Sequence, residues 1–187
     1  MQSNKKSTRG VATREVLRSN DTAKRSAEIV VAARELYEEK GLARTSIQDI
    51  TNHVGVTRSL FYHYFPDKEA VTSAVLDDYV ADFIEATHYW NAQRHPGDIE
   101  SALASVVKLM RLGVFEHDAF RRSLASRENA ALYIDFVNRV ADRVASYIVE
   151  TTVRDYGALH EIRIEHVYET FYVLILGIVG YLRTHPD

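Results

Sequence analysis

The chain has 187 residues, 46% of them hydrophobic, with 23 Lys and Arg against 26 Asp and Glu and no cysteine. That length supports one or two domains with real cores, and the missing thiols exclude disulfides and cysteine catalysis. The charge is uneven: residues 1–70 carry 12 cations against 9 acids, whereas residues 71–187 carry 11 against 17. A basic first segment joined to an acidic remainder points to polyanion binding by the first segment alone.

Residues 1–20 hold Lys5, Lys6, Arg9, Arg14 and Arg18 against Glu15, with no convincing apolar period. They read as a basic flexible arm, solvated or tracking phosphates as arms on helix-turn-helix variants do. The same stretch lacks the apolar run of a secretory signal, so a cytoplasmic location is expected. Asp21 or Thr22 is positioned to cap the first helix, which should run to Lys40 with Ile29, Ala33, Leu36 and Tyr37 as its inward stripe. Gly41 would end it at the C′ position. Lys24 and Arg25 would then lie in the first turn, where the helix dipole disfavours cations and a DNA phosphate or solvent must compensate.

The stretch Thr45 to Phe65, TSIQDITNHVGVTRSLFYHYF, organises the chain. It predicts two short helices joined by a glycine turn. Thr45 and Gln48 have capping-box spacing, and Ile47, Ile50 and Val54 recur on one helical face. Gly55 supplies the left-handed residue a tight helix exit needs. Thr57 is a second N-cap, with Val56 and Phe61 placed as a hydrophobic staple. On the second helix Phe61, Phe65 and Tyr64 point inward, whereas Ser59, Tyr62 and His63 point outward with Arg58 and Leu60 on the flanks. Pro66 forces Phe65 into an extended conformation and stops the helix. Asp67 then caps the next one, leaving Lys68 in a first turn, again a poor place for a cation.

GVTRSLFYHYFPDKEA, preceded by TSIQDI, resembles the signature of the TetR family of bacterial transcriptional regulators, and the likeness runs from about Thr22 to Val80. It departs from the family's commoner residues at Thr57, Ser59, Leu60 and Phe61, so no operator is read from it. The resemblance implies a helix-turn-helix head whose second helix lies in the major groove. It also implies backbone contacts from Tyr62 and Lys68. The DNA-binding set expected is Thr45, Gln48, Thr57, Arg58, Ser59, Leu60, Tyr62, His63 and Lys68, with Arg58, Ser59, Leu60 and His63 nearest the bases.

A long helix should follow Asp67 through Val71, Val75, Tyr79, Phe83 and Ala86 to about Trp90, broken by His95-Pro96-Gly97-Asp98. Further helices are predicted near 98–115, 117–125, 127–153 and 160–183. In the last, Val173 to Val179 is apolar on every side and must be buried all round. The apolar run from Phe171 to Leu182 has 12 residues, short of the roughly 20 a bilayer needs, so no membrane partner is expected. The resemblance implies that the last two long helices form a homodimer, with Val144, Ile148, Phe171, Ile175, Ile178 and Leu182 at the interface. It also implies a small-molecule effector pocket, for which Trp90, Met110, Phe115, Phe120, Tyr133 and Phe136 are candidates. The histidines make no i, i+4 pair, and no phosphate loop, nucleophile elbow or HExxH helix is present. Neither metal nor cofactor nor catalytic group is expected.

These readings converge on an all-α chain: arm 1–20, helix-turn-helix head 21–66 and a helical ligand-binding and dimerisation domain 67–187. The function expected is a non-enzymatic, DNA-binding transcriptional regulator, a ligand-responsive repressor acting as a homodimer on a palindromic operator. The alternative is a TetR-like DNA-binding protein without inducer, its C-terminal domain binding a protein partner.

Overall fold

The computed structural model describes residues 6–93, 105, 108–109, 119–124, 126–158 and 160–185, with the side chains of 6–20, 119, 121 and 122 outside the description. Among these residues every regular element is helical: α1 (Lys6–Lys40), α2 (Ile47–Val54), α3 (Arg58–Tyr64), α4 (Lys68–Gln93), α5 (Ala119–Leu124), α6 (Ala130–Ile148), α7 (Arg154–Gly157) and α8 (Val167–Thr184). The chain divides within α4 into two compact units, 1–75 and 76–187. The helix expected at 98–115 lies almost wholly outside the described residues.

The first unit is built on one apolar cluster. Ile29, Ala33, Leu36 and Tyr37 are buried along α1, as their spacing predicts, together with Ile50 of α2, Phe61 of α3 and Val71 and Val75 of α4. The Tyr37 hydroxyl lies 3.0 Å from Thr72 Oγ1, whose own proton is committed to the Lys68 carbonyl at 2.7 Å. Tyr37 therefore donates, and this buried bond ties α1 to the start of α4. Gly41 follows α1 at φ 84, with its N–H on the Tyr37 carbonyl at 2.9 Å. Where the sequence places the start of this helix at Asp21, α1 already begins at Lys6. Lys24 and Arg25 consequently sit mid-helix, away from the dipole's positive end, and Arg25 pairs with Glu28 at 2.7 Å.

In the second unit α6 and α8 pack along each other. Tyr133, Phe136, Val137, Val140, Ala141 and Val144 of α6 are buried, as are Ile175, Val179 and Leu182 of α8. Polar ties line the same seam: Tyr168 donates to Asp142 Oδ1 at 2.5 Å, Tyr172 donates to Asn138 Oδ1 at 3.3 Å, and the Arg183 guanidinium lies 4.4 Å from the centre of the Tyr133 ring. Arg139 joins α6 to α4 through Asp77 at 2.6 Å, and also holds Asp135 one turn away at 2.7 Å. The helix expected over 127–153 is observed as α6 with a 3-10 turn before it and a π-type turn, Val149–Val153, after it. A run of β-branched residues, and Thr151 Oγ1 donating to the Tyr147 carbonyl at 2.6 Å, accompany that widening.

The last helix corrects two expectations. It starts at Val167 rather than His160, because Ile162 and Ile164 alternate with charged residues at the period of an extended chain. Nor is it buried all round: Val173, Leu174 and Tyr181 are 64%, 52% and 61% exposed. At 18 residues it is the one described helix long and apolar enough, by length and composition alone, to cross a bilayer, which the 12-residue apolar run did not suggest.

The Asp142 carboxylate pushes the Tyr168 hydroxyl up to about 12. Neutral tyrosine is thus favoured by folding, so its contribution is complete below pH 10 and disappears as the pH climbs to about 12. Alkaline titration followed by tyrosinate absorbance should show several late-ionising tyrosines, since burial also pushes Tyr37 and Tyr133 up, and Tyr168→Phe should remove one of them. The variant should also lose less thermal stability than the parent across that window.

Candidate nucleic-acid interface

The geometry of the head follows from its caps. Ser46, not Thr45, begins α2: its Oγ accepts the Asp49 N–H at 3.2 Å while its own N–H and hydroxyl donate to Asp49 Oδ2, both at 2.7 Å. This is a capping box displaced one residue from the pair the spacing suggested, and Gln48 donates instead to Asn52 at 2.7 Å. The bonds from Ser46, aided by Lys40, hold the Asp49 carboxyl below its usual range. At the far end Gly55 takes φ 76 and its N–H bonds the Thr51 carbonyl. Thr57 then caps α3 by accepting the Leu60 N–H at 3.2 Å.

Those two caps orient α3 so that Phe61 is wholly buried and Phe65 nearly so, their rings 5.8 Å apart. The opposite face is open: Arg58, Ser59, Tyr62 and His63 are exposed, Tyr62 by 45%, and Leu60 is half-buried. Phe65 ends the helix at φ −131, ψ 115, as the following proline requires. Asp67 caps α4 by accepting the Ala70 N–H at 2.7 Å.

Two residues of the expected contact set have a different place. Thr45 is 1% exposed, and its hydroxyl donates within the head, to Gly41 O at 3.0 Å and Leu36 O at 3.3 Å. It braces the α1–α2 turn and cannot reach a phosphate. Lys68 is half-buried, with Nζ donating to the Leu42 carbonyl at 2.6 Å. This internal acceptor accounts for a cation in a helix's first turn. Burial pushes its ammonium down in pKa, and Asp49 opposes that shift. An ammonium carries three donors, so holding Leu42 does not preclude a second acceptor.

One basic residue escaped the sequence reading. Arg44, exposed in the α1–α2 turn with Nε on the Lys40 carbonyl at 2.7 Å, shares a shallow hollow of about 430 Å³ with Ser46, Gln48, Arg58 and Lys68. Arg44 belongs to no periodic pattern, so only the folded turn brings it beside Arg58. Three cations at the mouth of α2, next to the exposed face of α3, form a surface suited to a phosphate backbone.

The other candidates are dispersed in the second unit. Phe120 is fully buried and stacked on Tyr79 at 5.2 Å, Phe136 is buried, and Tyr133 lies under Arg183. Trp90 is half-buried and donates to Ser105 at 2.8 Å. Met110 and Phe115 fall outside the described residues. Of the expected interface residues, Val144, Ile175 and Leu182 are buried within the protomer and so are not free to meet a partner, while Ile148, Phe171 and Ile178 are half-buried. The α6–α8 seam takes apolar residues that the resemblance assigned to a second chain. Among the described residues no group of three or more His, Asp or Glu is arranged to hold a metal.

A capped helix, a left-handed glycine and a short second helix with an open polar face define a helix-turn-helix head. Residues 29–75 match the family of bacterial regulatory proteins, tetR family. The chain is similar to the HTH-type transcriptional regulator EthR of Mycolicibacterium smegmatis, 42% identical over 53 residues, which cover 28% of this chain and 24% of the relative. It is also similar to the HTH-type transcriptional repressor KstR2 of the same organism, 26% identical over 129 residues, covering 69% of this chain and 58% of that one. The chain thus spans about a quarter and under two thirds of these curated relatives. A TetR-family transcriptional regulator from Pectobacterium atrosepticum shares the fold, with a TM-score of 0.64, 16% identity and coverage of 88% and 82%.

Arg58→Ala and Tyr62→Ala should weaken DNA binding while leaving the melting curve within about 0.5 kcal/mol of the parent, as for exposed sites. Lys68→Met should lower binding and, by unseating Leu42, also cost about 1 kcal/mol of stability. Parallel titration calorimetry and thermal melts on the three variants check this division.

Proposed function

We propose that the protein is a sequence-specific DNA-binding transcriptional regulator, a repressor that works as a homodimer on a palindromic operator and is released by a small molecule. The observation that carries the DNA-binding part is the open face of α3, with Arg58, Ser59, Tyr62 and His63 exposed over a buried Phe61. Arg58, Ser59, Leu60 and His63 are assigned to base edges and nearby backbone. Thr57, Tyr62 and Lys68, together with Gln48 and the newly found Arg44, are assigned to phosphates. Repression follows the name of a similar protein, a transcriptional repressor, rather than any residue here, and a cytoplasmic site of action follows from the polar, basic start of the chain.

A seven-residue reading helix spans few base pairs, so specificity calls for two heads related by a two-fold axis, with half-sites about 34 Å apart. The surface favouring self-association is the open side of α8. Val173, Leu174 and Tyr181 are exposed there at helical spacing, and a Cβ built on Gly177 or Gly180 meets nothing within 4 Å. Such a face costs free energy in water and permits close approach of a second helix. Release by an effector would be a population shift, limited to the ligand's preference for the dimer that does not fit DNA.

Selection of genomic fragments on the purified protein at two salt concentrations tests the first part. A palindrome with a steep salt slope is expected; salt-sensitive binding without a motif would sink sequence-specific regulation. Gly177→Leu tests the second. It should leave the protomer folded, gaining up to about 1 kcal/mol in helix propensity, yet convert dimers to monomers by light scattering. A dimer that survives would move the interface elsewhere.

A further inference from the structure

Among the described residues, two buried polar atoms of the second unit, the Tyr133 hydroxyl and Asn91 Oδ1, have no hydrogen-bond partner, and the second is flanked by further polar rings. Asn91, near the end of α4, donates its amide N–H to the Tyr147 hydroxyl of α6 at 3.1 Å, while its own Oδ1 is buried without a hydrogen-bond partner among the described residues. Buried carbonyl oxygens are rarely left so, because each forfeits its hydration without return. Beside it the His88 ring lies 4.2 Å from the Tyr147 ring, tilted by 44°. The π-type turn at Val149–Val153 begins two residues beyond Tyr147, and such widened turns are frequent at functional sites. His88 is exposed and Tyr147 half-buried, so two rings of the group reach the surface while Asn91 Oδ1 itself stays buried.

We propose that Asn91, Tyr147 and His88 form the polar end of a ligand site whose occupant is a small planar molecule carrying a neutral hydrogen-bond donor. The donor belongs on Asn91 Oδ1, whose amide nitrogen is already held by Tyr147. Planarity follows from the adjacent imidazole and phenol rings, which offer flat faces to an aromatic or conjugated ligand. Neutrality follows from the partners, an amide and a phenol, which give a desolvated cation no countercharge. The inference rests on the reading of the protein as ligand-responsive and names the ligand class for it.

Trp90 is the single tryptophan of the chain and the residue next to Asn91, so its fluorescence reports on this site in the full-length protein. Phenol and anisole serve as probes: the two share a ring, and only phenol donates. Phenol should change the Trp90 emission saturably, and anisole should bind at least about tenfold more weakly, since it leaves Oδ1 unpaired. Asn91→Leu should reverse that order, and Tyr147→Phe, which frees the Asn91 amide, should reduce the discrimination if the leucine variant does not fold. Equal binding of the two probes, or none, would overturn the proposal and leave the oxygen to a water molecule. Operator binding measured on the same samples separates the two readings. If it persists while phenol fails, the ligand site is wrong and the regulator stands; if phenol discriminates and no DNA is bound, the reverse holds.

Discussion

A helix of seven residues does not hold its shape in water, since isolated helices shorter than about 12 to 15 residues are marginal even with favourable sequences. The reading helix α3 has that length, so everything the head can do depends on how Phe61 is buried. A fully buried phenylalanine contributes about 2 to 3 kcal/mol, and the Thr57 cap adds about 1. Because Phe61 and Phe65 sit on one side and are both engaged in the core, the rotation of α3 about its axis has one solution. Arg58, Ser59, Tyr62 and His63 are exposed as a consequence. Function in this head is the reverse side of packing.

The first unit reinforces that arrangement through polar bonds rather than more apolar area. Thr45 holds two carbonyls at the end of α1, Lys68 holds Leu42, and Tyr37 holds Thr72. Each joins elements separated in sequence, and each satisfies a group that burial would otherwise strand. These bonds are directional, so they fix the α1–α2 turn where hydrophobic contact alone would tolerate sliding. Arg44 and Arg58 come together at the mouth of α2 because that turn is fixed.

The second unit is organised differently. Its α6–α8 seam consumes the apolar stripes of both helices and leaves α8 with an open apolar side, a surface that a lone protomer does not complete. Among the described residues its interior also holds Asn91 Oδ1 and the Tyr133 hydroxyl without a hydrogen-bond partner. Unfinished apolar surface and unfinished hydrogen bonds are the places where a protein of otherwise consistent design departs from its own rules, and such departures concentrate at functional sites. The head, by contrast, leaves the polar face of α3 open, the face proposed to meet DNA.

Local chemistry determined what depends on neighbours a few residues apart. Gly41 and Gly55 as helix exits, Thr57 and Asp67 as caps, Pro66 as a stop and the inward set Phe61 and Phe65 were legible because each follows from backbone sterics or helical period alone. The helix-turn-helix and its outward face came with them. What the sequence could not decide is which of two adjacent hydroxyls caps a helix, since Thr45 and Ser46 differ only in which one the packing of α1 buries. Nor could it tell that Lys68 has an internal acceptor 26 residues away in sequence, or that Ile175 and Leu182 are buried within their own protomer. Those are questions of which apolar or polar partner arrives first, and only the tertiary structure answers them, because spacing along one helix specifies a face and never what covers it.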